Sequence, residues 1–386
     1  MGEVILSSLK QELKESLLAS GVPLALAVER TDALSELLDP LNPTEVALKA
    51  LEGAIYGPTR ALINERFADR PDLLVKMLAA HGQLVAGKGL MGLAQEAYGA
   101  ALEHTGELGP EHPDVVLTRA YLGILLGREG RFEESKAALQ EVLEGADETL
   151  EPEDLAKALA SLARAEHELR NSDEAHRVYE RAIDAYRGLL AETGDYDTFG
   201  HTVLAMSNRS TLLSDESRWQ EAEELLDEAL MLCGEYDSEE TLPTSAVLRS
   251  FARLRLGQKR YEESEELLLH ALDISRREEG AGSEPSINAI RALAELYFYQ
   301  ERFEDSAEQQ RVLIEHYSRL YGPGHPQPLE CRTNLALVHF KLDDLESCIE
   351  ELERADELAR AHLDEAHPMR QRVAGLLEGL EAPDGN

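Results

Sequence analysis

KRYEES at residues 259–264 and ERFEDS at residues 301–306 are two copies of the sequence pattern that decides the fold. Strong and weaker copies of the same pattern occur in five further segments, which are GLMGLA at 89–94, GRFEES at 130–135, RNSDEA at 170–175, SRWQEA at 217–222 and LDDLES at 342–347. Each copy ends at, or just before, a small residue that we call the anchor, and the anchors are Ala94, Ser135, Ala175, Ala222, Ser264, Ser306 and Cys348. Successive anchors are 41, 40, 47, 42, 42 and 42 residues apart, which indicates an internal repeat of about forty-two residues.

Small and large side chains stand at fixed distances from the anchors. Twelve residues before each anchor lies another small residue, namely Gly82, Gly123, Ala163, Ser210, Ala252, Ala294 and Ala336. Four residues after most anchors lies a large one, namely Tyr98, Leu139, Tyr179, Leu226, Leu268 and Leu352. Two antiparallel helices approach closely only where small side chains admit large ones from the neighbour, so each repeat is predicted to be a helix pair. One pair cannot bury its own apolar face, and stacked pairs in an all-α solenoid are therefore expected.

This pattern resembles the tetratricopeptide repeat (TPR), whose small–aromatic–small core positions it shares. The longer period and the loops GPEHP at 109–113 and GPGHP at 322–326 are similar to the kinesin-light-chain type of repeat, and AHP at 366–368 is a truncated copy. The resemblance implies a right-handed TPR-type superhelix. It further implies an N-terminal helical capping region at residues 1–70 and about seven helix pairs at 71–367. A C-terminal capping helix at 368–380 and a tail at 381–386 would follow. Amphipathic helices predicted within the first region, at 3–19 and 23–38, suit either a cap on the array or a dimer contact. Two further helices are predicted there, from Asn42 to about residue 55 and over 58–67.

The segment NERFADRPDLLVKMLAAHGQL at 64–84 resembles repeat arrays found beside bacterial serine/threonine kinases. A kinase itself is excluded, because the sequence contains no HRD and no DFG motif. The resemblance implies a non-enzymatic scaffold or adaptor that binds a protein or peptide. Its alternative is a sensor module of a bacterial signalling pathway, which binds a ligand and controls a separately encoded kinase.

Charge and composition limit the partners. The 386 residues include 38 Lys and Arg against 75 Asp and Glu, which gives a net charge of −37 and argues against binding to nucleic acid or anionic membranes. Two explanations of the acidic composition remain open. It reflects either a salty habitat or a GC-rich genome, or else the binding of a partner. The three cysteines, Cys233, Cys331 and Cys348, form no CxxC pair and are expected to be buried and reduced. Without a transmembrane or secretory pattern, a cytoplasmic location is expected, and the oligomeric state is left open.

Histidines are the first candidates for a metal or catalytic site. His112, His325 and His367 each precede a proline that opens a helix, so they are predicted to be helix N-cap residues rather than metal ligands. The sequence has no HExxH, no EF-hand loop and no GxSxG motif. Acidic runs such as 262–266 are interpreted as solvated faces of second helices, not calcium sites. We therefore expect no enzyme activity, no cofactor and no metal.

The first helix of each pair is the more informative place to search, since in this architecture first helices line the concave groove. The outward positions there lie 18, 15, 11 and 8 residues before each anchor, and in repeats three to seven they hold five basic residues against two glutamates. The groove candidates are Lys157, Arg164, Arg249, Arg253, Asn288, Arg291, Phe298, Leu337 and Phe340. A basic groove favours an acidic segment or a C-terminal carboxylate as ligand. In the alternative interpretation, its arginines pair with glutamates on neighbouring helices.

Overall fold

A computed structural model of the chain describes residues 55–87, 90–145, 149–236, 240–365 and 367–381, and in these ranges every regular element is helical. Apart from the single-turn helix α4, the elements are full helices that alternate with short loops. In chain order they are α1 Gly57–Phe67, α2 Pro71–Ala86, α3 Met91–Leu102, α4 Thr105–Leu108, α5 Pro113–Arg128, α6 Phe132–Gly145, α7 Pro152–Glu168, α8 Ser172–Thr193, α9 Tyr196–Asp215, α10 Trp219–Tyr236, α11 Leu242–Gly257, α12 Tyr261–Glu279, α13 Glu284–Tyr299, α14 Phe303–Tyr321, α15 Pro326–Lys341, α16 Leu345–His362 and α17 Pro368–Glu381.

The chain divides into two compact units, Met1–Ala205 and Met206–Asn386, with the boundary inside α9. Within the first unit, α2 packs on α3, α5 on α6 and α7 on α8. Within the second unit, α11 packs on α12, α13 on α14 and α15 on α16, with α17 against α15 and α16. Consecutive first helices also touch, since α5 contacts α7 and α11 contacts α13. Each unit is thus a stack of helix pairs, as the repeat predicts.

Helices α1 and α17 lie at the two ends of the described part of the chain. A helix predicted over 58–67 is observed as α1, and the helix predicted over 368–380 is observed as α17. The helices predicted at 3–19, at 23–38 and from Asn42 to about residue 55 lie outside the described residues, as does the tail at 382–386. No helix in the described part is both long and apolar enough to cross a bilayer.

Small–large contacts hold the pairs together. All seven anchors are buried. A Cβ atom added to Gly123 would lie 2.7 Å from Leu139 Cγ, and one added to Gly82 would overlap the ring of Tyr98. These are the two partner positions, twelve residues before and four after an anchor. The glycines are therefore required by the close approach of two helices, and the sequence spacing marked the contacts correctly.

Serine anchors add a hydrogen bond across the same pair. The hydroxyl groups of Ser135, Ser264 and Ser306 donate to the backbone carbonyl groups twelve residues earlier, over 2.7, 2.8 and 2.8 Å. In each case the acceptor belongs to the small residue of the first helix. A buried hydroxyl needs such a partner, which explains how serine replaces alanine at these positions without an unsatisfied polar group.

Tight turns between first and second helices repeat one backbone conformation. The residue five positions before an anchor has a positive φ in six repeats, and these residues are Gly130, Arg170, Ser217, Lys259, Glu301 and Asp343. The next backbone N–H donates to a carbonyl five residues earlier, for example Arg260 N to Arg255 O at 2.8 Å and Arg302 N to Tyr297 O at 2.9 Å. This six-to-one bond closes the helix C-terminus and directs the chain into the second helix.

Histidines cap the N-termini of α5, α15 and α17. The Nδ1 atoms of His112, His325 and His367 accept hydrogen bonds from backbone N–H groups two residues later, at 3.3, 3.3 and 3.1 Å. The predicted N-cap role is therefore confirmed. The three cysteines are buried, as expected, and burial raises the pKa of the Cys331 thiol to about 12.

Candidate functional site

The two candidates in the first unit are engaged with neighbouring groups. Lys157 forms an ion pair with Glu153, one turn earlier on α7. Arg164, also on α7, donates to the carbonyl of Gly127 at the end of α5. The first contact is an ion pair between exposed side chains of one helix, and the second joins two first helices.

Arg253, on α11 of the second unit, is paired as well. Its Nη2 atom lies 2.8 Å from Asp215 Oδ1 and its Nη1 atom 4.0 Å from Glu295 Oε2. Asp215 ends α9 and Glu295 lies on α13, so the arginine joins three first helices. Internal pairing, the alternative interpretation of the groove arginines, therefore describes this residue.

Arg249 differs from Arg253, although it lies only one turn earlier on α11. Its Nε atom is buried and has no hydrogen-bond partner among the described residues. Burial lowers the pKa of the guanidinium; the carboxylate of Glu284 opposes that shift, and the positive charge of Arg291 adds to it. Since arginine keeps its proton at any ordinary pH, a half-buried positive charge remains here without a hydrogen-bonded carboxylate.

Arg291 stands at the equivalent position of the next first helix, α13. Its Nη2 atom donates to the Tyr317 hydroxyl, and the guanidinium carbon lies 5.7 Å from the centre of the Tyr317 ring. No ion pair to a carboxylate forms within the part of the chain that the structure describes. Asn288, one turn earlier, makes no side-chain hydrogen bond there either. Arg249 and Arg291 are close enough for their charges to interact, and neither has a hydrogen-bonded carboxylate in the described part of the chain. We call Arg249, Arg291 and Asn288 the basic site.

The apolar candidates lie on α13 and on the next first helix, α15. Leu337 and Phe340 on α15 are 47% and 44% exposed. Phe298 on α13 is half-buried and packs edge-on against Phe303, with 5.5 Å between ring centres. Tyr299, which sequence reasoning did not select, is exposed next to it. The second unit therefore presents aromatic and aliphatic surface beside the two arginines.

A pocket of about 290 Å³ adjoins this surface. It is lined by residues of both charge signs and by two tyrosines, and its walls are Ser214, Asp215, Arg253, Leu256, Gly257, Lys259, Tyr261, Glu295 and Tyr299. Its arginine and its acidic groups already compensate each other through the Arg253 ion pairs. The pocket is thus polar and largely balanced in charge.

Some predicted outward positions are buried instead. Ser207, Ser214, Ala246 and Thr333 are shielded from solvent, because small side chains at these positions let adjacent helices close over them. The acidic runs also differ in part from a simply solvated face. Glu223 pairs with Arg255 at 2.6 Å, and Glu265 with Arg302 at 2.7 Å, each across to a neighbouring helix pair. Among the described residues, no group of three or more His, Cys, Asp or Glu side chains is arranged to hold a metal ion.

The family follows from a comparison of sequence profiles. The tetratricopeptide repeat profile matches residues 117–188, 201–277, 243–318 and 286–361, which together span more than half of the chain. The chain belongs to the tetratricopeptide repeat family. The TPR resemblance and the all-α solenoid class are therefore confirmed, and the coarse role is that of the family, whose members commonly serve as protein-interaction scaffolds and are generally non-catalytic. The search of curated proteins gave no match.

Solved structures similar to this TPR chain include a Rap protein in complex with Competence and Sporulation Factor. That structure has 15% identity, a TM-score of 0.54, and coverage of 90% of this chain and 98% of its own. A TPR protein from Parabacteroides merdae ATCC 43184 shows 16% identity, a TM-score of 0.47, and coverage of 79% and 97%. A kinesin-light-chain-like repeat protein of Podosopora anserina shows 18% identity, a TM-score of 0.41, and coverage of 55% and 99%. At these identities the similarity to Rap establishes the fold alone.

Proposed function

We propose that this TPR chain is a non-enzymatic scaffold whose second unit captures an acidic segment of a partner protein. The segment would place an anionic group against the basic site and an apolar side chain against Phe298, Leu337 or Phe340. The observation that carries the proposal is the difference between paired and unpaired cations. Lys157, Arg164 and Arg253 have partners within the chain, whereas Arg249 and Arg291 have no hydrogen-bonded carboxylate among the described residues.

Physical cost supports this proposal. Desolvating a charged donor without a partner destabilises a protein, since the group loses its hydrogen bonds to water. Arg249 is in this state, and the positive charge of Arg291, at the equivalent position of the adjacent repeat, adds to the effect of burial on the pKa of Arg249, whereas the carboxylate of Glu284 opposes it. An anionic ligand would remove both penalties, and arginine forms bidentate hydrogen bonds with carboxylates. The arrangement therefore favours a binding role over a structural one.

The geometry also predicts a spacing in the partner segment. Arg249 and Leu256 are seven residues apart on α11, as are Arg291 and Phe298 on α13. Seven helical residues span about 10 Å, whereas an extended peptide advances about 3.3 Å per residue. An extended ligand would thus carry its acidic residue and its large apolar residue about three positions apart.

Affinity purification with mass spectrometry, followed by peptide arrays of the captured proteins, tests the proposal. Wild-type protein is compared with Arg249→Glu/Arg291→Glu and with Lys157→Glu/Arg177→Glu, a control pair that makes the same charge change in the first unit. We expect only the first variant to lose the partner, and we expect bound peptides to show the three-residue spacing. Equal capture by both variants, with both folded, would show that the basic site does not bind the partner.

A ligand-binding sensor is the second candidate, and the 290 Å³ pocket favours it. A pocket with both charge signs and two tyrosines suits a small zwitterion better than a long segment. The two functions separate in one experiment, because a sensor would show a thermal shift with amino-acid-like ligands while no protein co-purifies. Arg253→Gln would abolish that shift, since Arg253 lines the pocket.

A further inference from the structure

The basic site belongs to a row of equivalent positions, each fifteen residues before an anchor. In four successive repeats these positions hold Ser207, Arg249, Arg291 and Thr333, each forty-two residues from the next. Two arginines thus occupy the middle of the row and two hydroxyl residues its ends. Because α11 packs on α13, the two guanidinium groups extend from neighbouring helices of the same unit.

Several donors along this row have no partner in the described structure. Ser207 is only 2% exposed, and its hydroxyl makes no hydrogen bond. Its backbone carbonyl accepts from the Ser250 hydroxyl at 3.3 Å, so the end of the row next to Arg249 is in contact with α11. The buried Nε of Arg249 and the amide of Asn288 add two more donors. The unsatisfied Nε atom of Arg249 indicates that an acceptor group is missing from its surroundings.

The charge of that acceptor can be inferred from the site. One carboxylate carries one negative charge and two oxygens, so it can neutralise only one of the two arginines. A phosphate monoester carries a charge of about −1.5 to −2 at neutral pH and has three terminal oxygens. It can therefore compensate both guanidinium groups and still has an oxygen left to accept from Asn288. Arginine's planar fork fits phosphate oxygens in the same bidentate way as it fits a carboxylate.

We propose that the basic site binds the phosphate group of a phosphorylated serine or threonine in the partner segment. This inference rests on the proposed function, because it requires the segment to lie on the same helices. It goes further, since it makes binding depend on phosphorylation of the partner rather than on acidity alone. The neighbouring Phe298 and Leu337 would then contact the residues that flank the phosphorylated one.

Titrations of the full chain with small capped probes test the inference without knowledge of the partner. The probes are N-acetyl-phosphoserine amide, the matching serine and glutamate compounds, inorganic phosphate and acetate, all at constant ionic strength. Arginine-labelled protein provides the readout, because the Nε–H resonances of Arg249 and Arg291 report binding directly. These resonances are assigned through their loss in Arg249→Gln and Arg291→Gln.

We expect the phosphoserine probe and inorganic phosphate to shift the Arg249 resonance saturably. The phosphoserine probe should bind at least about tenfold more tightly than the glutamate probe, a factor that equals ~1.4 kcal/mol. Arg249→Gln and Arg291→Gln should each weaken binding by about tenfold or more, as expected for the loss of a charge-assisted hydrogen bond. Arg253→Gln, a control that removes an arginine already paired with Asp215, should stay within about twofold.

Different failures have different meanings. Equal affinity for the glutamate and phosphoserine probes would overturn the phosphate inference and leave the acidic-segment proposal standing. No response to any anion would contradict both. Tighter binding of adenosine monophosphate or of vesicles with phosphorylated inositol lipids than of a phosphoserine peptide would also overturn the inference, since its source of phosphate would be wrong. Unchanged affinity in folded Arg249→Gln and Arg291→Gln would place any anion binding elsewhere.

Discussion

Replacing Arg249 with methionine is predicted to stabilise the protein while it removes ligand binding. The guanidinium is charged and half-buried, and its Nε atom has no partner among the described residues. A buried donor without a hydrogen bond costs about 1–3 kcal/mol. Because part of the side chain still reaches water, we take the low end of that range, about 1 kcal/mol. Methionine preserves the length of the apolar stem and removes the charge.

Arg253 supplies the matched control, one turn away on the same helix. It pairs with Asp215 at 2.8 Å and is exposed, so Arg253→Met should lose the ion pair and about 0–1 kcal/mol of stability. The same chemical change should therefore shift the free energy of unfolding in opposite directions at the two positions. Opposite signs would be the signature of a residue retained for binding at the expense of stability.

Urea unfolding followed by far-ultraviolet circular dichroism measures both effects. The midpoint should rise for Arg249→Met and fall slightly or stay constant for Arg253→Met, with the m-value unchanged in both. A midpoint that falls for Arg249→Met as far as for Arg253→Met would refute the reasoning. Arg249 would then make stabilising contacts that its unsatisfied Nε does not suggest.

Three further predictions concern the scaffold. Tyr179→Phe should raise the free energy of unfolding by about 1 kcal/mol, because the buried Tyr179 hydroxyl has no partner among the described residues. Tyr121→Phe should lower it by about 1 kcal/mol, because the 2.7 Å hydrogen bond to Asp154 is lost. Urea unfolding measures both, and a lower stability of both variants would contradict this prediction. Glu301→Gly should stabilise by about 0.5–1 kcal/mol, since Glu301 has a φ of 59°, and a lower midpoint would show that the turn carries no strain. The melting temperature should be constant above about pH 6.5 and fall below it. The reason is that burial lowers the pKa of four histidines from the usual 6.5 in the folded protein, namely His81, His201, His316 and His325. As the pH falls, the unfolded chain therefore binds protons before the folded protein does. A constant melting temperature down to about pH 5 would contradict this effect.

The helix pairs and their closest contacts could be predicted from the sequence. The contact of Gly123 with Leu139 joins residues sixteen positions apart in one repeat, and the spacing of small and large residues reports it directly. The same holds for the bond from Ser264 to the carbonyl of Ala252, since both positions had been selected as small. Local periodicity fixes such contacts because each repeat must bury the same face.

The turns were missed because their residues give no local signal. Lys259 and Glu301 occupy a left-handed conformation that usually favours glycine or asparagine, and only Gly130 among the six equivalent residues would suggest it. The constant position, five residues before each anchor, was the available signal. Alignment of the repeats would have found it, whereas residue type alone could not.

Pairing of the arginines could not be predicted because it depends on neighbouring repeats. Arg253 and Arg249 looked alike in sequence, and the partner of Arg253 is Asp215, thirty-eight residues earlier. The residue at the same distance before Arg249 is Thr211, which carries no charge. An acidic residue thirty-eight positions before an arginine is therefore the sequence signal that distinguishes Arg253 from Arg249. Whether an arginine forms an ion pair depends on a carboxylate of a neighbouring helix being close enough, and the repeat period does not report that distance.

Site-specific photo-crosslinking tests most directly whether the second unit binds its partner through the basic site. A benzophenone amino acid is placed at Leu337, beside the apolar candidates, and in a separate protein at Met231, an exposed residue of the second helix α10. We predict crosslinks from position 337 to one acidic or phosphorylated partner segment, and their loss in Arg249→Glu/Arg291→Glu. Crosslinks that form mainly from position 231, or that persist at position 337 after the charge reversal, would contradict the account.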